Sequence, residues 1–127
     1  MVDLNDYFNP VSIEGPDFGY LIAQAGFPHN ISIHTENHPL KDISKYKIAL
    51  FGVPEGRNSP NAGSLKGPDM IRQQLYRLAK IPGKSKIIDL GNMKQGSTFN
   101  DTIAVIRDIL SILKSDHLNT LIIGATS

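Results

Sequence analysis

KIALFGVPEGRNSPNAGSLKGPDMIR, residues 47–72, decides the fold. It opens on an apolar run, Ile48-Ala49-Leu50-Phe51-Gly52-Val53, that does not alternate with polar residues. Such a run is a strand covered on both faces, the condition of a parallel sheet between helix layers. Pro54 has no N–H to give to a ladder and ends the strand. Residues 55–66 then read as a loop rich in Gly, Asn, Ser and Pro, about twice the usual length of a strand-to-helix connection. At Gly67-Pro68-Asp69 a helix begins: Pro68 suits its first turn, where a missing N–H costs nothing, and Asp69 complements the helix dipole. Met70, Ile71, Leu75, Leu78 and Ala79 make its apolar stripe, with Arg72, Gln73, Arg77 and Lys80 facing away. Ligand sites in open parallel sheets lie beyond the carboxyl ends of the strands, so this loop leaves the sheet where chemistry is expected.

Downstream the pattern repeats. Residues 86–91, Lys-Ile-Ile-Asp-Leu-Gly, are a second core strand, and residues 100–115 a second helix. The stripe of that helix is Ile103, Ile106, Leu110 and Leu113, widened by Val105, Ile109 and Ile112. Residues 119–124, Asn-Thr-Leu-Ile-Ile-Gly, are a third strand. Strand, helix, strand, helix, strand implies right-handed crossovers and a three-layer α/β/α arrangement. Upstream, residues 17–25 read as a short helix closed by Gly26, and Ile31 and Ile33 as a short strand or an extended surface segment. Residues 1–45 are less regular than the core at 46–124, and nothing separates them into another domain.

Composition narrows the function classes. A chain of 127 residues buries enough surface to fold without metal or disulfide. A formal net charge of +1 makes no bulk case for nucleic acid or an anionic membrane. No cysteine is present, which removes thiolate catalysis and zinc–thiolate sites. The first ten residues, MVDLNDYFNP, lack the basic start and apolar core of a signal peptide, and no apolar run approaches a membrane span. The expectation is a soluble, cytoplasmic protein.

Candidate site residues each have a plainer reading beside the chemical one. The glycines after the first strand fit neither the dinucleotide fingerprint nor a phosphate-binding loop and serve turns instead. His29, His34 and His38 are spaced too irregularly, among Pro28, Asn30 and Pro39, for a helical metal pair, and read as loop residues. His117 follows a helix end and is structural. Asp89, inside an apolar strand, is either a catalytic carboxylate or an acceptor for loop amides, the second being the plainer. Arg57, the only basic residue between Glu55 and Lys66, is either the partner of an acidic substrate or one half of a charge pair with Glu55. Glu55, Arg57, Asn58 and Asn61 are the substrate-loop candidates. No nucleophile with its base and no close carboxylate pair emerges, so no catalytic residue is assigned.

The order of segments resembles the ureohydrolase superfamily of arginase, agmatinase and formimidoylglutamase. Gly52-Val53-Pro54 matches its Gly-x-Pro; Gly67-Pro68-Asp69-Met70-Ile71-Arg72 matches its Gly-Pro-x-x-Ile-Arg; Asp89-Leu90-Gly91-Asn92 matches its Asp-x-Gly-Asp/Asn. Where the family has Ile-Gly-Gly-Asp-His, this chain has Ile123-Gly124-Ala125-Thr126-Ser127. The resemblance covers about residues 46–124, and within the family formimidoylglutamase-like or uncharacterised arginase-like members fit better than true arginase. It implies a partial arginase-like fold, strand order 2-1-3, with residues 48–53 between 86–91 and 120–124. It implies two manganese ions and a small amidine or guanidine substrate for the full-length family. The family's first metal ligand would fall past Gly124, so no metal ligand is carried over and this chain alone is expected to bind no cofactor. Residues 1–127 then read as the inactive amino-terminal portion of such a hydrolase, self-associating through the unpaired edge at 121–124. The alternative is a stand-alone α/β binding or regulatory module using the 55–66 loop. Reading the frame past Ser127 discriminates them: Asp-x-His-x-Asp favours the hydrolase, a stop codon the module.

Overall fold

The computed structural model describes residues 3–11, 31–54, 67–78, 86–94 and 98–124. Within them lies a five-stranded, mostly parallel sheet. Its strands are β1 (Phe8–Asn9), β2 (Ile31–Ile33), β3 (Ile48–Val53), β4 (Ile87–Met93) and β5 (Asn119–Gly124). The helices are α1 (Gly67–Leu78) and α2 (Phe99–Ser115). β3 lies between β4 and β5 and is parallel to both, the order expected from the sequence. The far edge of β4 is shared: β2 runs parallel along its first half, and β1 runs antiparallel at Met93 and Asn92. Ile31 and Ile33 are therefore buried strand residues, not surface ones.

The chain steps from β3 to β4 and then back across to β5. Right-handed crossovers in opposite directions put the two helices on opposite faces of the sheet. Packing agrees. Ile109 and Leu113 of α2 share a cluster with Ala49, Phe51, Ile88, Leu90 and Met93. Tyr76 of α1 packs with Val11, Ile31 and Ile33 on the other face. Phe8 meets the Phe51 ring edge-on at 5.6 Å, tying β1 to the α2-side core.

The apolar stripes give the helix positions, and in α2 the stripe residues Val105, Ile106, Ile109 and Leu113 do pack on the core, but the facing of α1 differs. Among the described side chains of α1 the buried ones are Pro68, Arg72 and Tyr76, while Met70 is 63% exposed and Ile71 is exposed too. Spacing by four puts all three buried residues on one face. The expectation that Arg72 points to water is wrong, because that face carries a polar network described below. In α2 the buried line is Thr102, Ile109 and Leu113, with Ile103 and Leu110 exposed on one flank. The helix starts at a capped turn, where Thr98 Oγ1 accepts the Asp101 N–H at 3.1 Å. It stops at His117, whose φ of 63° is left-handed. There His117 N–H bonds to Lys114 O and Leu118 N–H to Leu113 O, both at 3.0 Å, closing the orphan carbonyls. His117 is thus structural, through its backbone.

β4 is not a regular strand. Leu50 pairs with Asp89 and Gly52 with Asn92, so two residues of β3 face three of β4. The extra residue forms a bulge at Gly91, whose φ is 99°. Before it, Ile88 and Leu90 point to the α2 face; after it, Met93 does. The bulge has shifted the alternation by one.

Candidate functional site

The carboxyl ends of β3 and β4 meet the first turns of α1 in a buried polar cluster. Gly52 makes the approach possible. A side chain there would meet Asn92 Oδ1, and its Cβ would lie 2.7 Å from Pro68 Cβ. Pro68, fully buried, seats the start of α1 directly on β3.

One turn on, the fully buried Arg72 reaches across to β4. Its Nε donates to Asp89 Oδ2 at 2.8 Å and its Nη2 to Asp89 Oδ1 at 3.0 Å, a two-pronged pair. Its Nη1 donates to Asp69 Oδ1 at 3.1 Å and to Asn92 Oδ1. Asp89 also accepts the Tyr76 hydroxyl at 2.5 Å and the Gly91 N–H at 3.0 Å. Three residues apart on a regular strand, Asp89 and Asn92 would face opposite ways. The bulge between them brings both to Arg72.

The electrostatics follow from that geometry. Burial by itself would lower the Arg72 pKa, but the Asp89 charge and hydrogen bonds outweigh it and hold it above its ordinary value. Burial, then the Asp89 carboxylate, push the Tyr76 phenol well above the usual range. Among the described residues no buried side-chain nitrogen or oxygen is left without a partner. Both Asp89 oxygens are occupied by donors, so the carboxylate is not free to take a proton from a substrate. It accepts an amide, as the plainer reading expected, though the amide belongs to its own bulge and the main partner is Arg72. Chemically the cluster locks: it fixes where α1 begins relative to the strand ends.

The remaining sequence candidates are placed as follows. Glu55, Arg57, Asn58 and Asn61 lie outside the described residues, as do His29 and the helix expected at 17–25. His34 is buried, with Nδ1 2.8 Å from the Leu90 carbonyl, which can only accept, so that nitrogen carries the proton. His38 Nδ1 lies 3.2 Å from Thr35 Oγ1 across a tight turn. Arg72, Tyr76 and Asn92 are what reading by apolar periodicity misses. The available signal was Asp89: a lone carboxylate inside an apolar strand needs a cation or strong donors. Arg72, in the Gly-Pro-x-x-Ile-Arg match, was the nearest candidate in the segment order.

Among the described residues, no group of three or more His, Cys, Asp or Glu is placed to hold a metal ion. The two-manganese centre implied by the family resemblance therefore does not fit on them. No helix among the described residues is long and apolar enough to cross a membrane.

No family model matches the chain, and no solved structure matches it. Curated proteins do. A formimidoylglutamase from Salmonella typhi is 31% identical over 123 residues, 89% of this chain and 35% of that protein. One from Photorhabdus laumondii is 29% identical over 89 residues, 66% of this chain and 28% of that protein. One from Salmonella paratyphi B is 34% identical over 83 residues, 61% and 26% of the two. The chain thus spans about a third or less of the curated relatives it matches. These similarities agree with the Gly-Pro-x-x-Ile-Arg and Asp-x-Gly-Asn pieces that the Arg72–Asp89 pair joins in space: the chain belongs to the ureohydrolase superfamily.

Proposed function

We propose that this chain forms the front scaffold of a formimidoylglutamase-like hydrolase, one that cleaves a C–N bond of a linear amidine or guanidine in the cytoplasm. The observation that carries the reading is the Salmonella typhi similarity over 89% of the chain. The buried join between α1 and β4 supports it as a positioning element. In the full-length family two manganese ions supply an activated water. The described residues offer no place for them, and the 127 residues by themselves are proposed to be inactive. What they contribute is a fixed frame: Pro54 and Gly67, the described residues on either side of positions 55–66, are held by β3 and by Pro68 packed on Gly52. In the same reading the chain associates with itself through residues 121–124.

Two measurements test this. Purified chain incubated with formiminoglutamate, arginine or agmatine and manganese is expected to give no product above the protein-free control, and turnover overturns the scaffold reading. The reading frame beyond Ser127 is expected to continue into Asp-x-His-x-Asp, and a stop codon directly after Ser127 overturns the hydrolase reading.

A further inference from the structure

We propose that a groove beside β2 binds a small organic anion with an apolar body, of the aryl or branched-alkyl carboxylate class. The groove is separate from the Arg72–Asp89 cluster. It lies between β2 and the short 3-10 turn Ile43–Lys45, with a volume of about 340 Å³. That is within the range of small-molecule sites, roughly 300–1,000 Å³.

Its floor is apolar. Ile88 and Leu40, both buried, belong to the core under α2 and supply it, while Ile31 and Ile33, which border the groove, turn their side chains to the α1 face. A bare inorganic ion would leave that floor in contact with water, so the occupant needs an apolar part. Its rim is cationic: Lys41 and Lys45 line it and are exposed, with the exposed imidazole of His38 beside them. Among the described lining residues there is no carboxylate. Asp42, the neighbour of Lys41, instead accepts the Ser44 hydroxyl at 3.0 Å. The head group is therefore an anion. Ser32, Thr35 and Tyr46 add hydroxyls between floor and rim.

Two features fix the rim in place. Lys45 Nζ sits 5.4 Å from the centre of the Tyr46 ring, a cation–π distance that restrains a side chain otherwise free to swing. Thr35 and His38 exchange backbone hydrogen bonds of 3.3 and 3.0 Å, so the histidine stands on a closed turn. The two ammonium groups act as point charges, without the planar fork that grips an oxyanion at two oxygens. A carboxylate needs only one or two such contacts and carries an apolar body that can cover Leu40 and Ile88.

The test is an amide chemical-shift titration of the full 127-residue chain with 4-phenylbutyrate. 4-Phenylbutylamine and inorganic phosphate are the comparison probes. Saturable shifts confined to residues 31–46 and Ile88 are expected with the carboxylate alone. Lys41→Glu combined with Lys45→Glu is expected to weaken binding about tenfold, since two exposed charge contacts are lost. Lys45→Gln should give an intermediate loss. All these side chains are exposed, and retention of the wild-type spectrum confirms the fold. The proposal is overturned by absence of saturation, by shifts centred elsewhere, by equal binding of the amine or of phosphate, or by an unchanged affinity in the double variant.

Discussion

At Arg72 two large free energies oppose each other. Taking a guanidinium and a carboxylate out of water costs several kcal/mol per ion, and their attraction offsets that only with good geometry and satisfied neighbours. Here both conditions hold, through the paired contacts to Asp89 and the further bonds to Asp69, Asn92, Tyr76 and Gly91. The pair therefore contributes little beyond an apolar replacement but is costly to break. Asp89→Ala or Arg72→Met alone is expected to destabilise by about 3–5 kcal/mol, and the double Arg72→Met/Asp89→Leu variant by clearly less than the sum. Denaturant midpoints of the three variants measure this. Arg72→Lys should fail to rescue, since an ammonium cannot span both carboxylate oxygens and Asn92.

Tyr76 gives the same cluster a pH signature. Its folded pKa is raised, so the stability it contributes is complete below the unfolded tyrosine value near ~10. Above that, the unfolded chain releases the proton and the folded chain keeps it. Stability then falls as pH rises, by about 1.4 kcal/mol per pH unit from this group. Tyr76→Phe is expected to cost about 2 kcal/mol at neutral pH and to remove that alkaline slope, read from unfolding curves between pH 8 and pH 11.

Among the elements, the helix ends carry separable contributions. Thr98→Ala removes the hydroxyl that accepts the Asp101 N–H and should cost about 1 kcal/mol. His117→Gly relieves a left-handed β-carbon clash while adding chain entropy to the unfolded state, so a net gain of up to about 1 kcal/mol is expected in thermal unfolding. What could be read from sequence follows a similar division. β3 was legible because its apolar run is closed by Pro54, and α2 because its apolar residues cluster at helical spacing. The facing of α1 was not, because periodicity counts apolar letters and its buried face is Pro68, Arg72 and Tyr76. β1 pairs through only two residues and has no sequence period at all. The locking cluster joins residues from Asp69 to Asn92, a separation no local pattern spans.

For the molecule as a whole, the order of the three core strands came from the family resemblance and the common doubly wound order, and the structure has it. The exposed edge is its consequence. Among the described residues β5 pairs with β3 alone, and Leu121 and Ile122, on opposite faces, are 47% and 44% exposed. An open edge without charge is a template for another strand. The chain is expected to elute as a dimer or larger species at high concentration. Leu121→Lys and Ile122→Lys, singly, should shift it towards monomer in size-exclusion chromatography with light scattering. A monomeric wild type at millimolar concentration would show that this edge does not pair.

The bulge at Gly91 has one more consequence, a matter of parity. Everything after it in β4 is oriented by an odd extra step, so losing one residue there is the structural analogue of a frameshift. Deleting Gly91 would turn the Asn92 amide towards the apolar core and throw the Met93 thioether towards the guanidinium. Gly91→Ala, which crowds the Asn9 carbonyl but keeps the count, should damage the protein less than the deletion. In this strand the number of residues matters as well as their identity.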